Sequence, residues 1–270
     1  AFENCENLTS INIPIGVAEI GERAFCGCNL QSIIIPKSVK VIGKYAFSCG
    51  NNLAEIKIAA QKTQYDSRNN CNAMIETTSN NLIIGCKNTI IPNDVKIIKQ
   101  LAFVDSSLTS IIIPPNVTEI EEWAFARCNL TSINIPDSVT HIGESAFCEC
   151  YFLESVSLNH TTKIIEDSTF QQCVNLTSIV IPNNINSIGK KAFEDCISLT
   201  SITLHDGIKH IGDSAFHNCK NLQSITLPES IVSIGKGAFE DCTSLTSITL
   251  PASVTSIGDE AIFCCSSLKR

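Results

Sequence analysis

The chain has 270 residues, 44% of them apolar, 17% charged and 6% aromatic, with a formal net charge of −8. That acidic balance argues against a nucleic-acid partner, because binding a phosphate backbone needs clustered Lys and Arg. No apolar run approaches the ~20 residues of a membrane-crossing helix, so insertion of this segment in a bilayer is also set aside.

An aromatic step recurs along the chain at Phe2, Phe25, Phe47, Phe103, Phe125, Phe147, Phe193, Phe216 and Phe239, with Thr169-Phe170 as a near copy. The spacing is 22 or 23 residues except between Phe47 and Phe103. A period of this length around a Leu-x-x-Ile-x-Ile heart predicts a leucine-rich solenoid, in which each coil packs only on its neighbours. The fold class expected is therefore a leucine-rich repeat solenoid of about eleven coils. It would have a parallel sheet on its concave face and short extended or 3₁₀ segments on the other side.

The strand signature occurs at 8–13, 30–35, 53–58, 108–113, 130–135, 153–158, 176–181, 199–204, 222–227 and 245–250. In each, the first, fourth and sixth residues are aliphatic and are expected to point inward, leaving the second, third and fifth outside. Pro follows in most coils, from Pro14 to Pro251, and ends the strand because it has no amide proton for the ladder. An aliphatic pair three apart comes next, as in Val139/Ile142 and Ile231/Ile234, and suits a second short extended segment or a tight turn. Gly21, Gly43, Gly143, Gly189, Gly212, Gly235 and Gly258 then mark a turn needing positive φ or close packing. The x-x-Ala-Phe-x-x-Cys stretch is expected to form a short helical or 3₁₀ turn.

Two places break the pattern. Residues 151–170 keep the length but lose the Pro and Gly. Residues 59–87 read as an insertion: a polar stretch from Gln61 to Asn70, then apolar runs at 73–75 and 82–84 separated by Thr77-Thr78-Ser79-Asn80-Asn81, which predicts a β-hairpin. Ile90-Ile91-Pro92 rejoins the repeat. Because the sequence opens and closes in mid-repeat, residues 1–270 are expected to be one solenoid cut from a longer protein.

The repeat Leu-Thr-Ser-Ile-x-Ile-Pro-x-x-Val-x-x-Ile-Gly-x-x-Ala-Phe-x-x-Cys resembles the BspA-type leucine-rich repeats over essentially the whole chain. The insertion, with Asp66–Asn72 and Gly85–Thr89, resembles one in bacterial members. The family occurs in surface proteins of oral and gut bacteria and of Trichomonas. The resemblance implies a cell-surface or extracellular location and adhesion, to host extracellular-matrix proteins such as fibronectin or fibrinogen or to other microbes. It carries no catalytic or binding motif that can be transferred to a position here.

Fifteen cysteines are present. Cys5, Cys28, Cys128, Cys150, Cys173, Cys196, Cys219 and Cys242 each lie three residues after the repeat Phe, which predicts a column of buried thiols packed as small hydrophobes. Coils stacked ~4.8 Å apart hold their Cα–Cβ vectors parallel, whereas a disulfide needs them converging at about 3.8 Å. Cys71 and Cys86 flank the hairpin, and their pairing is left open. Zinc at Cys26-x-Cys28 or Cys148-x-Cys150 lacks the usual wider spacing and second pair. The histidines, His141, His160, His205, His210 and His217, fall in no nucleophile or metal motif. No cofactor, metal or catalytic residue is therefore expected.

On the outward strand face, Ser recurs at the third position and Thr at the second, a hydroxyl ladder that keeps a parallel sheet soluble. The breaks in it are the candidate partner-binding residues: Ile34, Lys57, Ile112 and Val180 at the fifth position, with Glu55, Glu154 and the insertion's Tyr65. Asn7, Asn116, Asn129, Asn159 and Asn175 open formal glycosylation sequons. The function expected is a non-catalytic adhesion or binding module for a protein or glycan. A structural stalk displaying another domain is the alternative, and an enzyme the remote one.

Overall fold

A computed structural model describes residues 1–50, 52–59 and 64–269. It is a solenoid of about ten turns with two parallel ladders and almost no helix. The first ladder carries the Leu-x-x-Ile-x-Ile runs. Ser32–Ile35 pairs with Glu55–Ile58, and Ser132–Asn134, Ser155–Ser157, Ser178–Val180, Ser201–Thr203 and Ser224–Thr226 form a five-stranded parallel sheet. Serine sits against serine and aliphatic against aliphatic, as in Ser201↔Ser224 and Ile202↔Ile225. The burial pattern alternates strand by strand, so the inward Leu and Ile side chains shed water while the hydroxyls keep it.

On the other side, the second member of each aliphatic pair ends a two-residue strand, such as His141–Ile142, Ser187–Ile188 and Ser233–Ile234. The second extended segment, not the tight turn, is the outcome. From Gly43 onward, the glycine that follows a second-ladder strand serves close packing. Its φ is not positive except at other sites, yet a Cβ on Gly212 would lie 2.5 Å from the Lys190 amide nitrogen of the coil below. The coil at 151–170, which lacks Pro and Gly, uses side chains instead. Asn159 is buried and donates to the carbonyls of Pro136 (2.9 Å) and Val139 (2.6 Å), while its Oδ1 accepts from the Thr162 amide and hydroxyl. That environment also closes the Asn159 sequon to a glycan.

The Ala-Phe corner departs from expectation. It is a run of turns, and the only 3₁₀ segment among the described residues is Arg68–Asn70, in the insertion. Two residues per corner have positive φ, one two before the Phe and one two after it. Examples are Ser145 (56°) and Glu149 (57°), and Ser214 (53°) and Asn218 (60°). The alternation turns successive amides in different directions. Phe216 N donates to Ala238 O of the next coil at 2.8 Å, whereas Cys219 N donates back to Phe216 O at 3.2 Å. A 3₁₀ turn would direct every amide back along its own chain and leave the coil-to-coil bonds unmade.

The insertion breaks the stack. Tyr65–Asp66, Met74–Glu76 and Asn81–Ile84 pair antiparallel in turn, and Asn81–Ile84 then runs parallel to Ile97–Ile98, so the hairpin is built into the second ladder. Gln61, Lys62 and Thr63 of the polar stretch lie outside the described residues. Arg68 ties the insertion together, with Nε 2.8 Å from Asp66 Oδ1, Nη1 2.7 Å from Asn80 Oδ1 and a further ion pair to Asp94. The core is correspondingly not one spine. One cluster runs from Ile13 to Ile56 and takes in Met74 and Cys86, a second begins at Cys71 and Ala73 and continues to Ala261, and a small third holds Val104, Ala126 and Cys148.

Candidate binding surface

Three columns run along the coils. The first is the phenylalanine stack: neighbouring rings lie 4.9–5.7 Å apart between centroids and within 15° of parallel, from Phe2 to Phe47 and from Phe103 to Phe239. It is interrupted at the insertion, where Gly85 takes the place of the ring. Gly85 N donates to Ala102 O at 2.8 Å, as Phe103 N donates to Ala124 O, and any Cβ on Gly85 would enter the Phe103 ring.

The second column is the thiols. All fifteen cysteines are free. Each ladder thiol donates to the Phe carbonyl of the coil before it: Cys28 to Phe2 (3.0 Å), Cys128 to Phe103 (3.1 Å), Cys173 to Phe147 (3.3 Å) and Cys219 to Phe193 (3.2 Å). Cys265, which the sequence analysis passed over, continues the column to Phe239 O at 3.1 Å, and Cys5 in the first coil is exposed. Burial pushes the Cys150 and Cys242 thiols up to about 12 and those of Cys128, Cys173 and Cys219 well above the ordinary range. They are inert packing groups with a weak donor. Cys71 and Cys86 are not paired either: Cys71 Sγ donates to Ala73 O (3.6 Å) and Cys86 Sγ to Asn72 O (3.2 Å). Cys150 lies in the main core cluster, whereas Cys148 packs with Val104 and Ala126.

Where the corner of the insertion is cut short, a cavity of about 130 Å³ opens between the corners of Phe47 and Phe103. In complete corners, amides such as Arg23 N, Phe25 N and Gly27 N donate to the next coil. The equivalent Tyr45, Phe47 and Cys49 amides make no such bond among the described residues. Ser106, which replaces the ladder cysteine on the far wall, keeps a buried hydroxyl with no hydrogen-bond partner among the described residues. The Cys49 thiol reaches across to Asp105 at 3.4 Å.

The third column is the outward fifth position of the first ladder. Ile34 is 57% exposed, Ile112 85% and Val180 78%. Ile34 lies beside Lys57 in register, and Lys57 pairs with Glu55 at 2.6 Å on the same exposed face. Ile90, which the sequence analysis did not weigh, is 73% exposed. It precedes Ile112 by the same 22 residues that separate the paired Ile98 and Ile120, and this register was the available signal. The segment at Cys71–Asn72 lies against its coil, since Ile90 N donates to Cys71 O at 3.0 Å and Asn72 Nδ2 to Asn88 O at 3.2 Å. Ile34, Glu55, Lys57 and Ile112, with Ile90, thus flank the insertion. Val180 stands apart between Ser157 and Thr203, and Glu154 is exposed at the second strand position of its coil. Tyr65 lies elsewhere: it is half-buried on the second ladder, with its hydroxyl on Lys40 O at 3.1 Å.

The BspA-type leucine-rich repeat region model matches in six copies over residues 1–82, 80–196 and 163–270. Among solved structures, a leucine-rich repeat protein from Eubacterium ventriosum superposes with a TM-score of 0.80 at 30% identity, covering 91% of this chain and 67% of its own. The leucine-rich repeat protein of T. pallidum gives 0.54 at 32% identity over 61% of this chain and 77% of its own. A leucine-rich cell surface protein from Faecalibacterium prausnitzii gives 0.53 at 27% identity over 94% and 82%. No curated protein matched.

Proposed function

Because the chain belongs to the BspA-type leucine-rich repeat family, we propose that it is a non-catalytic binding module displayed at a cell surface or secreted, and that it adheres to a protein through the outward face of its first ladder. The observation that carries this reading is the apolar group of Ile34, Ile90 and Ile112 set around the Glu55–Lys57 pair at the insertion. Elsewhere that face is mostly Ser and Thr, with Val180 standing alone, and hydroxyls that already meet water have little to gain from a partner. Exposed isoleucines have apolar area to lose, worth about 25 cal/mol per Å² buried. A few exposed apolar residues that lose their water on binding can hold most of the energy of an interface. The surface neighbour from Faecalibacterium prausnitzii supports the location.

The test measures binding of the intact chain to immobilised fibronectin and fibrinogen, with glycan arrays in parallel. Ile90→Asp and Ile112→Asp should each weaken binding at least tenfold without moving the melting temperature, because both side chains are outside the core. Binding that survives both changes would move the site off this face. Absence of binding to every probe would favour a stalk that holds another domain away from the surface.

A further inference from the structure

We infer that the corner face carries a site for a divalent first-row transition ion, formed by His217, Glu240 and Asp241 across two successive coils. The ligand atoms of these three lie within 4.8 Å of one another. The stacking explains the juxtaposition. His217 follows Phe216 and Glu240 follows Phe239, so the two occupy the same column one coil apart. Asp241 holds the next position at φ 58°.

The histidine is presented for ligation. Its Nε2 lies 3.8 Å from Asp241 Oδ2, on the open side of the cluster. Its Nδ1 is buried with no hydrogen-bond partner among the described residues, and Glu194 Oε1, one coil earlier, lies 3.5 Å from it. Glu194 is nine-tenths buried and held in place by Lys191 Nζ at 3.2 Å and by the Gln171 amide. A carboxylate behind the imidazole, on the nitrogen away from the ion, is the support that metal-binding histidines commonly have, and Glu194 stands in that place. Drawing Nε2 onto a cation would strengthen the loose Nδ1–Glu194 contact.

Charge points the same way. Glu240 and Asp241 bring two carboxylates to one imidazole, and apart from His217 no ion pair to either is made among the described residues. One nitrogen and two carboxylate oxygens suit Mn²⁺, Fe²⁺, Co²⁺ or Zn²⁺ better than Ca²⁺ or Mg²⁺, which prefer oxygen alone. Three protein ligands at a half-exposed position leave the remaining coordination to water. Bound there, the ion would clamp adjacent coils of the stack.

The experiment titrates the intact chain with Mn²⁺, following loss of the free-ion EPR signal and broadening of the histidine imidazole resonances. Cys264→Ser is used as the background, because that exposed thiol hydrogen-bonds Asp241 and would otherwise compete. Selective broadening of His217, abolished by His217→Gln and Asp241→Asn, is the expected result. Glu194→Gln should weaken binding about 10–100-fold, the effect of removing the group that orients a ligating histidine. The melting temperature should rise with Mn²⁺ in the background protein and stay still in His217→Gln. Binding that His217→Gln leaves intact, or no binding at millimolar Mn²⁺, overturns the assignment.

Discussion

The Cys242 thiol lies 3.2 Å from the carbonyl oxygen of Phe216, one coil earlier, and the same carbonyl accepts the amide of Cys219 at 3.2 Å within its own coil. Each Phe carbonyl in the regular stack therefore has two donors, one local and one from the next coil. The cysteine is small enough to sit between the stacked rings and the aliphatics, and it supplies a donor that Ala cannot.

Replacing Cys196 with Ala should therefore cost about 1–2 kcal/mol, from one weak hydrogen bond and a small void. Phe193→Ala should cost about 3–5 kcal/mol, because it opens a hole in a fully buried ring stack. Urea unfolding of both variants checks the order. A Cys196→Ala protein as damaged as Phe193→Ala would mean that the thiol does more than pack and donate.

The buried thiols also set an alkaline limit. Cys150 and Cys242 have folded values of about 12 against an ordinary value of 9, so the folded chain holds these protons more tightly than the unfolded chain. A raised value means that the stabilisation is complete below pH 9 and is lost as pH climbs from 9 toward 12. Each such thiol contributes a slope of about 1.4 kcal/mol per pH unit in that window. Melting temperature against pH should be flat from 7 to 8.5 and fall steeply above 9. A thiol reagent at pH 8 should label few sites until denaturant is added.

Glycine after the second strand provides an internal control. A Cβ on Gly212 meets the Lys190 backbone nitrogen at 2.5 Å, whereas one on Gly21 meets nothing within 4 Å, and neither has positive φ. Gly212→Ala should force the coils apart and destabilise by about 1–3 kcal/mol, the usual range for overpacking. Gly21→Ala should be neutral or slightly stabilising, since it only narrows the unfolded ensemble. Equal effects at the two sites would remove coil-to-coil contact as the reason for glycine.

Arg68 is the staple of the insertion, with Asp66, Asn80 and Asp94 around its guanidinium, and the hydrogen bond to Asp66 leads in pushing its pKa up. Arg68→Met keeps the stem and removes the fork. Hydrogen exchange at Met74–Glu76 and Asn81–Ile84 should speed up at least tenfold, while the regular coils around Phe193 and Phe216 stay protected. Uniform acceleration across the chain would mean that the insertion and the coils open as one unit.

Much of this molecule was legible in its amino-acid order, because a residue's direction in a stacked coil depends on its place in a short repeat. Leu199 points inward, Ser201 outward and Cys196 beneath the next coil for local reasons of strand alternation and repeat length. The corner reads as a short helical or 3₁₀ turn because its left-handed positions carry ordinary residues, such as Ser145, Lys191 and Glu260, rather than glycine, and so leave no compositional mark. Gly85 in a ring's place and Tyr65 removed to the second ladder were decided only by the fold, whereas Ile90 could be read from its 22-residue distance to Ile112. The first two depend on where the hairpin of residues 74–84 enters the stack, and a shift of one coil would have moved both. The meeting of His217 with Asp241 and Glu194 belongs to the same category. Sequence repeats set the register, but the distance between side chains on successive coils comes from how tightly those coils pack.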